Sequence, residues 1–218
     1  MRKTFVKLDM PTRKYSKFLK VQEFLDTNAA YETINHDLFA AQSIHIETAF
    51  SKLFDYISSK NRKVQLVEIG TFKGGLTVII DTFAKSRNLD YTFTTYDITD
   101  RLIEEKTFKI FEKAGIKFLK EDPMVKDDLF DKDALSVFFC DGGNKSNEVN
   151  KMMSICKPGD IIMGHDYGYD SNSFQKKEWT AFELSFNQLK SAYDKNNLKF
   201  IFKEEMEEAV WFCAEKQK

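Results

Sequence analysis

Apolar and polar positions follow two different periods along this chain. From His36 to Lys60 the apolar residues recur three or four positions apart, as on one face of a helix. The spacing therefore predicts a long amphipathic helix in this segment. Its buried face would consist of Leu38, Phe39, Ile44, Ile46, Phe50, Leu53, Phe54 and Ile57.

Beyond Lys60 short apolar, β-branched runs alternate with longer amphipathic segments. The short runs predict buried parallel strands, and the longer segments predict the helices that cover them. The predicted strands lie within 63–70, 90–98, 116–122, 133–143, 159–168, 198–205 and 208–216, and the helices within 76–88, 103–115, 147–159 and 178–197. Residues 198–216 leave no room for a long crossover helix, so the last two strands should form an antiparallel hairpin joined by an acidic turn. The fold class is α/β, with a doubly wound, mostly parallel seven-stranded sheet.

The first residues differ in composition from the alternating region. They are basic and aromatic and are interrupted by Pro11. We expect residues 1–35 to form a helical extension or cap, and residues 36–218 to form the main domain. The N-terminus has no apolar core of the kind found in a secretory signal, and no apolar run along the chain is long enough to span a membrane.

The charge and the cysteine content limit the class of partner and the cellular compartment. The 218 residues include 33 basic and 34 acidic ones, for a net charge of −1. This balance argues against a nucleic-acid partner, which would favour a basic excess. Cys140, Cys156 and Cys213 lack the spacing of a zinc or redox motif, so they are expected to be reduced, buried thiols in a cytoplasmic protein.

Acidic residues stand where successive predicted strands end. The carboxyl ends of parallel strands meet at one edge of an open sheet, and ligands bind there. Five acids in succession therefore predict an acidic rim around a pocket for a polyhydroxylated or cationic ligand: Glu68, Asp97, Asp122, Asp141 and Asp166.

The loop after the first strand refines this picture. The segment 66–80 reads LVEIGTFKGGLTVII, with glycines at 70, 74 and 75 that permit tight turns and close approach of the backbone. Asp97 follows about 20 residues later, where an acid binds ribose hydroxyls in dinucleotide folds. Phe72 stands in place of the middle glycine of GxGxxG, which suits a pyrophosphate poorly. The pattern favours a nucleoside ligand without phosphates.

These segments together resemble class I S-adenosylmethionine-dependent methyltransferases. VEIGTFKGG resembles their first motif, TTYDI their ribose-binding strand, and KEDP their adenine-contacting segment. FFCDGG and KPGDIIMGHDYG resemble the fourth and fifth strands of small-molecule O-methyltransferases, including relatives that act on sugars and antibiotics. The C-terminal hairpin is similar to the reversed seventh strand of that family. The resemblance covers about residues 63–218 and implies a Rossmann-like methyltransferase fold.

The resemblance also implies roles for single residues. The glycines of the loop, Gly70, Gly74 and Gly75, would pack against the methionine part of S-adenosylmethionine. Glu68 would orient its amino group, Asp97 would bind the ribose diol, and Asp122 would lie near the adenine. The sequence by itself is compatible with Asp122 as a solvated loop acid.

Asp141, His165 and Asp166 are the candidate catalytic residues, because neighbouring strands end at them. A hydroxyl acceptor must lose its proton, and a histidine titrates in the range that suits a general base. Asp141 and Asp166 could instead hold a divalent metal such as Mg²⁺, as in the metal-dependent O-methyltransferases that the chain resembles. The pair His165–Asp166 departs from the carboxylate or amide pair of those enzymes, and imidazole is a poor ligand for a hard cation. The third alternative is that Asp141, His165 and Asp166 have a purely structural role.

The predicted function is methyl transfer to a hydroxyl of a small molecule such as a sugar or a secondary metabolite. A different nucleotide-cofactor enzyme on the same fold, such as an NAD-dependent reductase or a hydroxylase-like relative, and a non-catalytic binding module are the alternatives. The segment from Tyr167 to Trp179 is aromatic and polar, and could be a lid over the acceptor or a surface loop. The acceptor and the oligomeric state stay open.

Overall fold

The computed structural model describes residues 42–43, 45–100, 103, 105–126, 129–169 and 183–218. The predicted extension at 1–35, the first part of the predicted helix 36–60 and most of the candidate lid lie outside the described residues. The predictions for these segments, including the division of the chain at residue 35, stay predictions.

Strands and helices alternate along the described chain. The strands are β1 (Val64–Ile69), β2 (Tyr91–Asp97), β3 (Ile116–Lys120), β4 (Leu135–Cys140), β5 (Ile161–His165), β6 (Tyr167–Gly168), β7 (Leu184–Ser185), β8 (Leu198–Phe200) and β9 (Trp211–Lys216). The helices are α1 (Ile46–Ser59), α2 (Gly75–Ser86), α3 (Glu105–Ala114), α4 (Lys145–Ile155), α5 (Phe186–Lys195) and α6 (Lys203–Glu208), with a 3₁₀ turn at Pro123–Val125.

Seven strands form one sheet in the order β3-β2-β1-β4-β5-β9-β8. The neighbours from β3 to β5 pair in parallel, whereas β9 runs antiparallel to both β5 and β8. This confirms the predicted α/β class, the seven-stranded sheet and the antiparallel C-terminal hairpin. The short strands β6 and β7 pair separately.

Hydrophobic side chains cover both faces of this sheet. One face packs against α1 and α2 through residues such as Phe50, Phe54 and Phe83. The other face packs against α4 and α5 through residues such as Met152 and Leu189. The central strands β4 and β5 are buried along their whole length, which explains why they read as continuous apolar runs and not as alternating ones.

The register of the parallel strands brings their ends to one level. Ile69 pairs with both Tyr96 and Cys140, and Cys140 pairs with Gly164. The residues that follow these positions are therefore aligned along one edge of the sheet, and they are Gly70, Asp97, Asp141 and His165.

Two connections differ from the sequence prediction. The predicted acidic turn between the last two strands is the helix α6, whose KEEMEE sequence consists of strong helix formers. In the described part of the segment predicted as a helix over 178–197, α5 begins at Phe186, and Leu184–Ser185 pairs as β7. Gln188 accepts a hydrogen bond from the backbone N–H of Ser185 (2.8 Å), which stabilises the start of α5 at that point.

The state of the three cysteines agrees with the sequence prediction. Cys140, Cys156 and Cys213 are buried and form no disulfide, as predicted. No helix in the described part of the chain is both long and apolar enough to cross a bilayer.

Candidate functional site

The loop between β1 and α2 requires glycine at its first turn. Gly70 has a φ of +96°, and a Cβ there would lie 2.5 Å from the carbonyl oxygen of Asp141. The backbone N–H of Gly70 donates to the carbonyl of Tyr96 (2.8 Å). Gly70 thus allows the ends of β1 and β4 to approach each other, in addition to any contact with a ligand.

Gly74 has a separate reason to be glycine. Its φ is +83°, and a Cβ there would meet the side chains of Thr107 (2.7 Å) and Phe111 (2.8 Å) on α3. Gly74 precedes Gly75, the first residue of α2, so its conformation fixes how that helix leaves the loop. The packing of α3 onto this turn is a contact that the loop sequence alone did not show.

We expect Gly70→Ala to destabilise the protein more than Gly115→Ala does. Gly115 also has a positive φ (+76°), but a Cβ there meets nothing within 4 Å. Gly115→Ala should cost about 1–2 kcal/mol for the left-handed backbone. Gly70→Ala should cost a further ~1–3 kcal/mol, because the backbone at Asp141 must move. Chemical denaturation measures both, and equal losses would contradict the role of this close approach.

Glu68 is completely buried beneath the loop. Its Oε2 accepts hydrogen bonds from the hydroxyls of Thr77 (2.6 Å) and Thr95 (2.5 Å). Its Oε1 is also buried and has no hydrogen-bond partner among the described residues. Burial raises the pKa of Glu68 to about 8, although the two threonine hydroxyls oppose this shift. A buried carboxylate oxygen of this kind needs a donor, and a ligand amino group would supply one.

Asp97 is held by the backbone around it. Its Oδ2 accepts from the N–H of Phe72 (2.9 Å) and its Oδ1 from the N–H of Thr99 (3.1 Å). Phe72 has a φ of +51° and is 44% exposed, so its side chain projects from the loop while its amide orients the acid. The residue that departs from GxGxxG therefore positions the candidate ribose-binding carboxylate.

Asp122 has a local structural role in addition to its predicted position near the adenine. Its Oδ1 accepts from the N–H of Met124 (2.8 Å) and caps the 3₁₀ turn at Pro123–Val125. The side chain is exposed. A solvated capping acid therefore accounts for the described contacts of Asp122, and its contact with an adenine stays a prediction.

Asp141 and His165 form a pair at the ends of β4 and β5. Nδ1 of His165 lies 3.0 Å from Oδ1 of Asp141 and 3.6 Å from Oδ1 of Asp166. The imidazole is only 3% exposed and packs against the tilted ring of Trp211 in β9, with the ring centroids 4.7 Å apart. Burial lowers the pKa of His165, but Asp141 and Asp166 more than offset this effect, so its pKa is raised. Asp166 has a φ of +55°, a conformation that aspartate tolerates better than most residues.

Lys145, the first residue of α4, is a charged group that the sequence analysis missed. Its Nζ lies 2.9 Å from Oδ2 of Asp166, 2.9 Å from Oε2 of Glu183 and 3.4 Å from Oδ1 of Asp141. The Lys145 side chain is 7% exposed. Burial lowers the pKa of Lys145, but Asp141 and Asp166 reverse that effect and raise the pKa above its usual value, so the group is an ammonium at neutral pH.

A sequence signal for Lys145 does exist. A lysine in the first turn of a helix faces the positive end of the helix dipole, which is unfavourable unless carboxylates compensate. Lys145 also stands only four residues after Asp141, so that a short turn can bring the two charges together. These two facts could have indicated a buried ammonium beside the strand-end acid.

Glu148 is a second missed residue, with a positioning role. Its Oε2 accepts from the N–H of Gly142 (3.0 Å) and its Oε1 from the N–H of Asn144 (3.0 Å). A Cβ at Gly142 would meet the carboxylate of Glu148, so glycine leaves room for this contact. Glu148 thereby fixes the loop that follows Asp141.

The same cluster was the predicted metal site. Asp141, His165 and Asp166 each place a ligand atom within 4.8 Å of the others. However, the ammonium of Lys145 already contacts both carboxylates. A hard cation such as Mg²⁺ needs several oxygen ligands in near-octahedral geometry, and an imidazole is a poor substitute. With Lys145 in this position the residues do not fit Mg²⁺, so no chemical step is assigned to a metal.

The strand order, the reversed strand β9 and the row of strand-end residues define a Rossmann-like methyltransferase fold. The resemblance inferred from the sequence motifs is therefore confirmed at the level of the fold. No family model matches the chain, and no curated protein is similar enough in sequence to count as a relative.

Several solved structures share this fold. A structure titled cmcI-N160 SAH aligns over 100% of this chain and 97% of its own, with 13% identity and a TM-score of 0.53. A second structure, titled cmcI-D160 Mg-SAM, covers 98% of this chain and 88% of its own, with 12% identity and a TM-score of 0.50. The O-methyltransferase TomG from Streptomyces achromogenes, solved with SAM, covers 97% of this chain and 93% of its own, with 12% identity and a TM-score of 0.50.

Proposed function

We propose that this protein is an S-adenosylmethionine-dependent methyltransferase that methylates a hydroxyl of a small molecule. The observation that carries this proposal is Oε1 of Glu68, which is buried near the end of β1 without a hydrogen-bond partner among the described residues, next to the end of β2 where the carboxylate of Asp97 is oriented. One group suits an amino-acid ammonium and the other suits a ribose diol. S-adenosylmethionine contains both groups within one molecule. SAM or SAH bound to structures of the same fold supports the proposal.

The cofactor would bind along the carboxyl ends of β1 and β2. Glu68 would accept a hydrogen bond from its amino group, and Asp97 would accept hydrogen bonds from the ribose hydroxyls. The loop containing Gly70, Gly74 and Gly75 would lie against the methionine part, with Asp122 at the adenine end. When bound, the cofactor supplies an electrophilic methyl group on a sulfonium.

The acceptor would bind beside Asp141. The side chain of Asp141 is 19% exposed, whereas that of His165 is 4% exposed, so Asp141 is the group that an acceptor hydroxyl can reach. When a methyl group is transferred from the sulfonium to the acceptor oxygen, with cleavage of the sulfur–methyl bond, the hydroxyl proton would pass to the Asp141–His165 pair. His165 behind the carboxylate shares this proton through the 3.0 Å contact at Nδ1. Such proton transfer is typically worth about 10²–10⁴-fold in rate.

The net charge and the proteins of similar fold indicate which class of acceptor molecule the site would take. TomG is an O-methyltransferase, which favours oxygen as the atom that this protein methylates in its acceptor. The overall charge of −1 does not favour a polyanionic acceptor such as a nucleic acid. A neutral hydroxylated small molecule suits the site, because acidic side chains surround the reacting position. We propose a cytoplasmic location, in keeping with the three free thiols.

Calorimetric titration with S-adenosylhomocysteine tests the cofactor assignment. The wild-type protein should bind it, and a ligand concentration of a hundred times Kd should stabilise the fold by about 2.7 kcal/mol. Asp97→Ala should weaken binding by about 1–3 kcal/mol, because the ribose hydroxyls lose a buried partner. Asp133→Ala is a matched control, since Asp133 is an exposed acid at the opposite edge of the sheet, just before β4. Tighter binding of NADH than of S-adenosylhomocysteine would contradict the assignment and favour a reductase.

A further inference from the structure

Lys145 lies among three carboxylates that come from three different parts of the fold. Asp141 follows β4, Asp166 follows β5, and Glu183 precedes β7. Two of the three contacts to Nζ are 2.9 Å and the third, to Asp141, is 3.4 Å. Because the side chain is only 7% exposed, the ammonium exchanges most of its hydration for these carboxylates.

This position coincides with the place that a divalent cation would need. The two acids that could ligate a metal, Asp141 and Asp166, are those that contact Nζ. Oδ1 of Asp141 is also shared with Nδ1 of His165. An ion placed between these carboxylates would lie against a like charge, and Coulomb repulsion at such distances is strong inside a protein. A metal could enter only if the lysine left.

We propose that Lys145 is the fixed cation of this site, and that its ammonium replaces a divalent metal and makes the reaction independent of added metal. Its function is to hold Asp141 and Asp166 in position and to compensate their charge. Lys145 is a positioning residue, because it acts through these carboxylates and transfers no proton itself. The account of the reaction rests on the proposed methyl transfer, whereas the exclusion of metal does not depend on any activity.

The neighbouring charges are consistent with one fixed ammonium. Among the described residues, the groups that surround it are the carboxylates of Asp141, Asp166 and Glu183, and the imidazole of His165, which contacts the same Oδ1 of Asp141. Glu148 lies one turn further along α4, but its carboxylate accepts from the backbone of Gly142 and Asn144. Removal of the ammonium would therefore leave these three carboxylates close together with one positive charge fewer.

Mn²⁺ binding, followed by electron paramagnetic resonance, tests this proposal on the purified protein. Wild type should not bind Mn²⁺ at this cluster. Lys145→Met, which removes the charge and keeps the length of the side chain, should bind Mn²⁺ at least about tenfold more tightly, because the two carboxylates become available. The double variant Lys145→Met, Asp166→Asn should lose this gain. Equal Mn²⁺ binding by wild type and Lys145→Met would overturn the proposal, as would a folded Lys145→Met that binds none.

Lys85→Met is the matched control. Lys85 pairs with the buried carboxylate of Asp81 (2.8 Å) at the same four-residue spacing, beside the hydroxyl of Tyr91. Its removal should not create affinity for Mn²⁺, because the arrangement of two strand-end carboxylates is specific to the first cluster. If Lys85→Met gains as much affinity for Mn²⁺ as Lys145→Met does, any buried carboxylate that loses its lysine partner binds the ion. That result would contradict a specific cation position at Lys145.

A second measurement needs no variant and covers the case in which Lys145→Met does not fold. Wild-type protein dialysed against EDTA should transfer methyl groups as fast as protein supplied with Mg²⁺, and a tenfold or greater rise with Mg²⁺ would overturn the proposal.

Lys145→Arg, which keeps the charge, should also exclude Mn²⁺. If no acceptor is methylated under any condition, the proposed function is in doubt, but the Mn²⁺ measurements still decide whether Lys145 excludes a metal.

Discussion

Asp141→Asn is expected to reduce methyl transfer by about 10²–10⁴-fold, while S-adenosylhomocysteine binds with nearly unchanged affinity. The amide keeps the size of the side chain but cannot accept the hydroxyl proton, and it disturbs the contact with Nδ1 of His165. The loss should appear in kcat rather than in KM, because the interaction matters most when the proton moves. Single-turnover methylation of a supplied acceptor measures the effect.

Asp133→Asn is the control for this change. It makes the same substitution in the segment that leads into β4, at the end of the strand that is remote from the site. Its methyl transfer should match that of wild type. If Asp141→Asn retains the wild-type rate, the hydroxyl proton leaves by another route and the catalytic role of Asp141 is wrong.

Cofactor affinity is expected to fall by about 100-fold when the pH is lowered from about 7.5 to 5.5. The reason is Glu68, whose pKa burial raises to about 8 in the protein without ligand. The proposed ammonium contact requires the ionised carboxylate, so a proton must leave Glu68 before or during binding. Below the raised pKa each further unit of acidity weakens binding about tenfold. Calorimetry in two buffers of different ionisation enthalpy would also detect the released proton.

Glu68→Gln separates this linkage from other acid effects. The amide is neutral at every pH, so its cofactor affinity should be weak and nearly constant over the same range. Thr77 and Thr95 can still donate to the amide oxygen, which limits damage to the fold. Should wild type bind equally well at both pH values, Glu68 is ionised without ligand or does not contact the ammonium.

The sequence pattern predicted those features of the protein that depend on residues close together in the sequence. Buried strands such as β4 are continuous apolar runs, and the acids that follow them are adjacent to the runs in sequence. Because parallel strands end at one edge, the alignment of Asp97, Asp141 and His165 along that edge could be inferred from the sequence. The seven-stranded sheet and its reversed strand followed from the same patterns.

The remaining features depend on contacts between distant segments. That Glu68 would be held by Thr77 and Thr95 could not be inferred, since strand register and helix packing decide which hydroxyls reach it. Lys145 reads as one more solvated helix charge until Asp166 and Glu183 are placed around it. The helix α6 was mistaken for a turn because six residues are too few to show a helical period.

The antiparallel strand β9 has a consequence for the time at which the site forms during synthesis. It pairs with β5 and places Trp211 beneath His165, yet it emerges from the ribosome after α5, β8 and α6. Until then β5 is an unprotected sheet edge, which is prone to pair with other chains. A nascent chain that contains every proposed catalytic residue would therefore lack the surface that supports the imidazole, and chaperone contacts on β5 should persist until residues 211–216 have emerged.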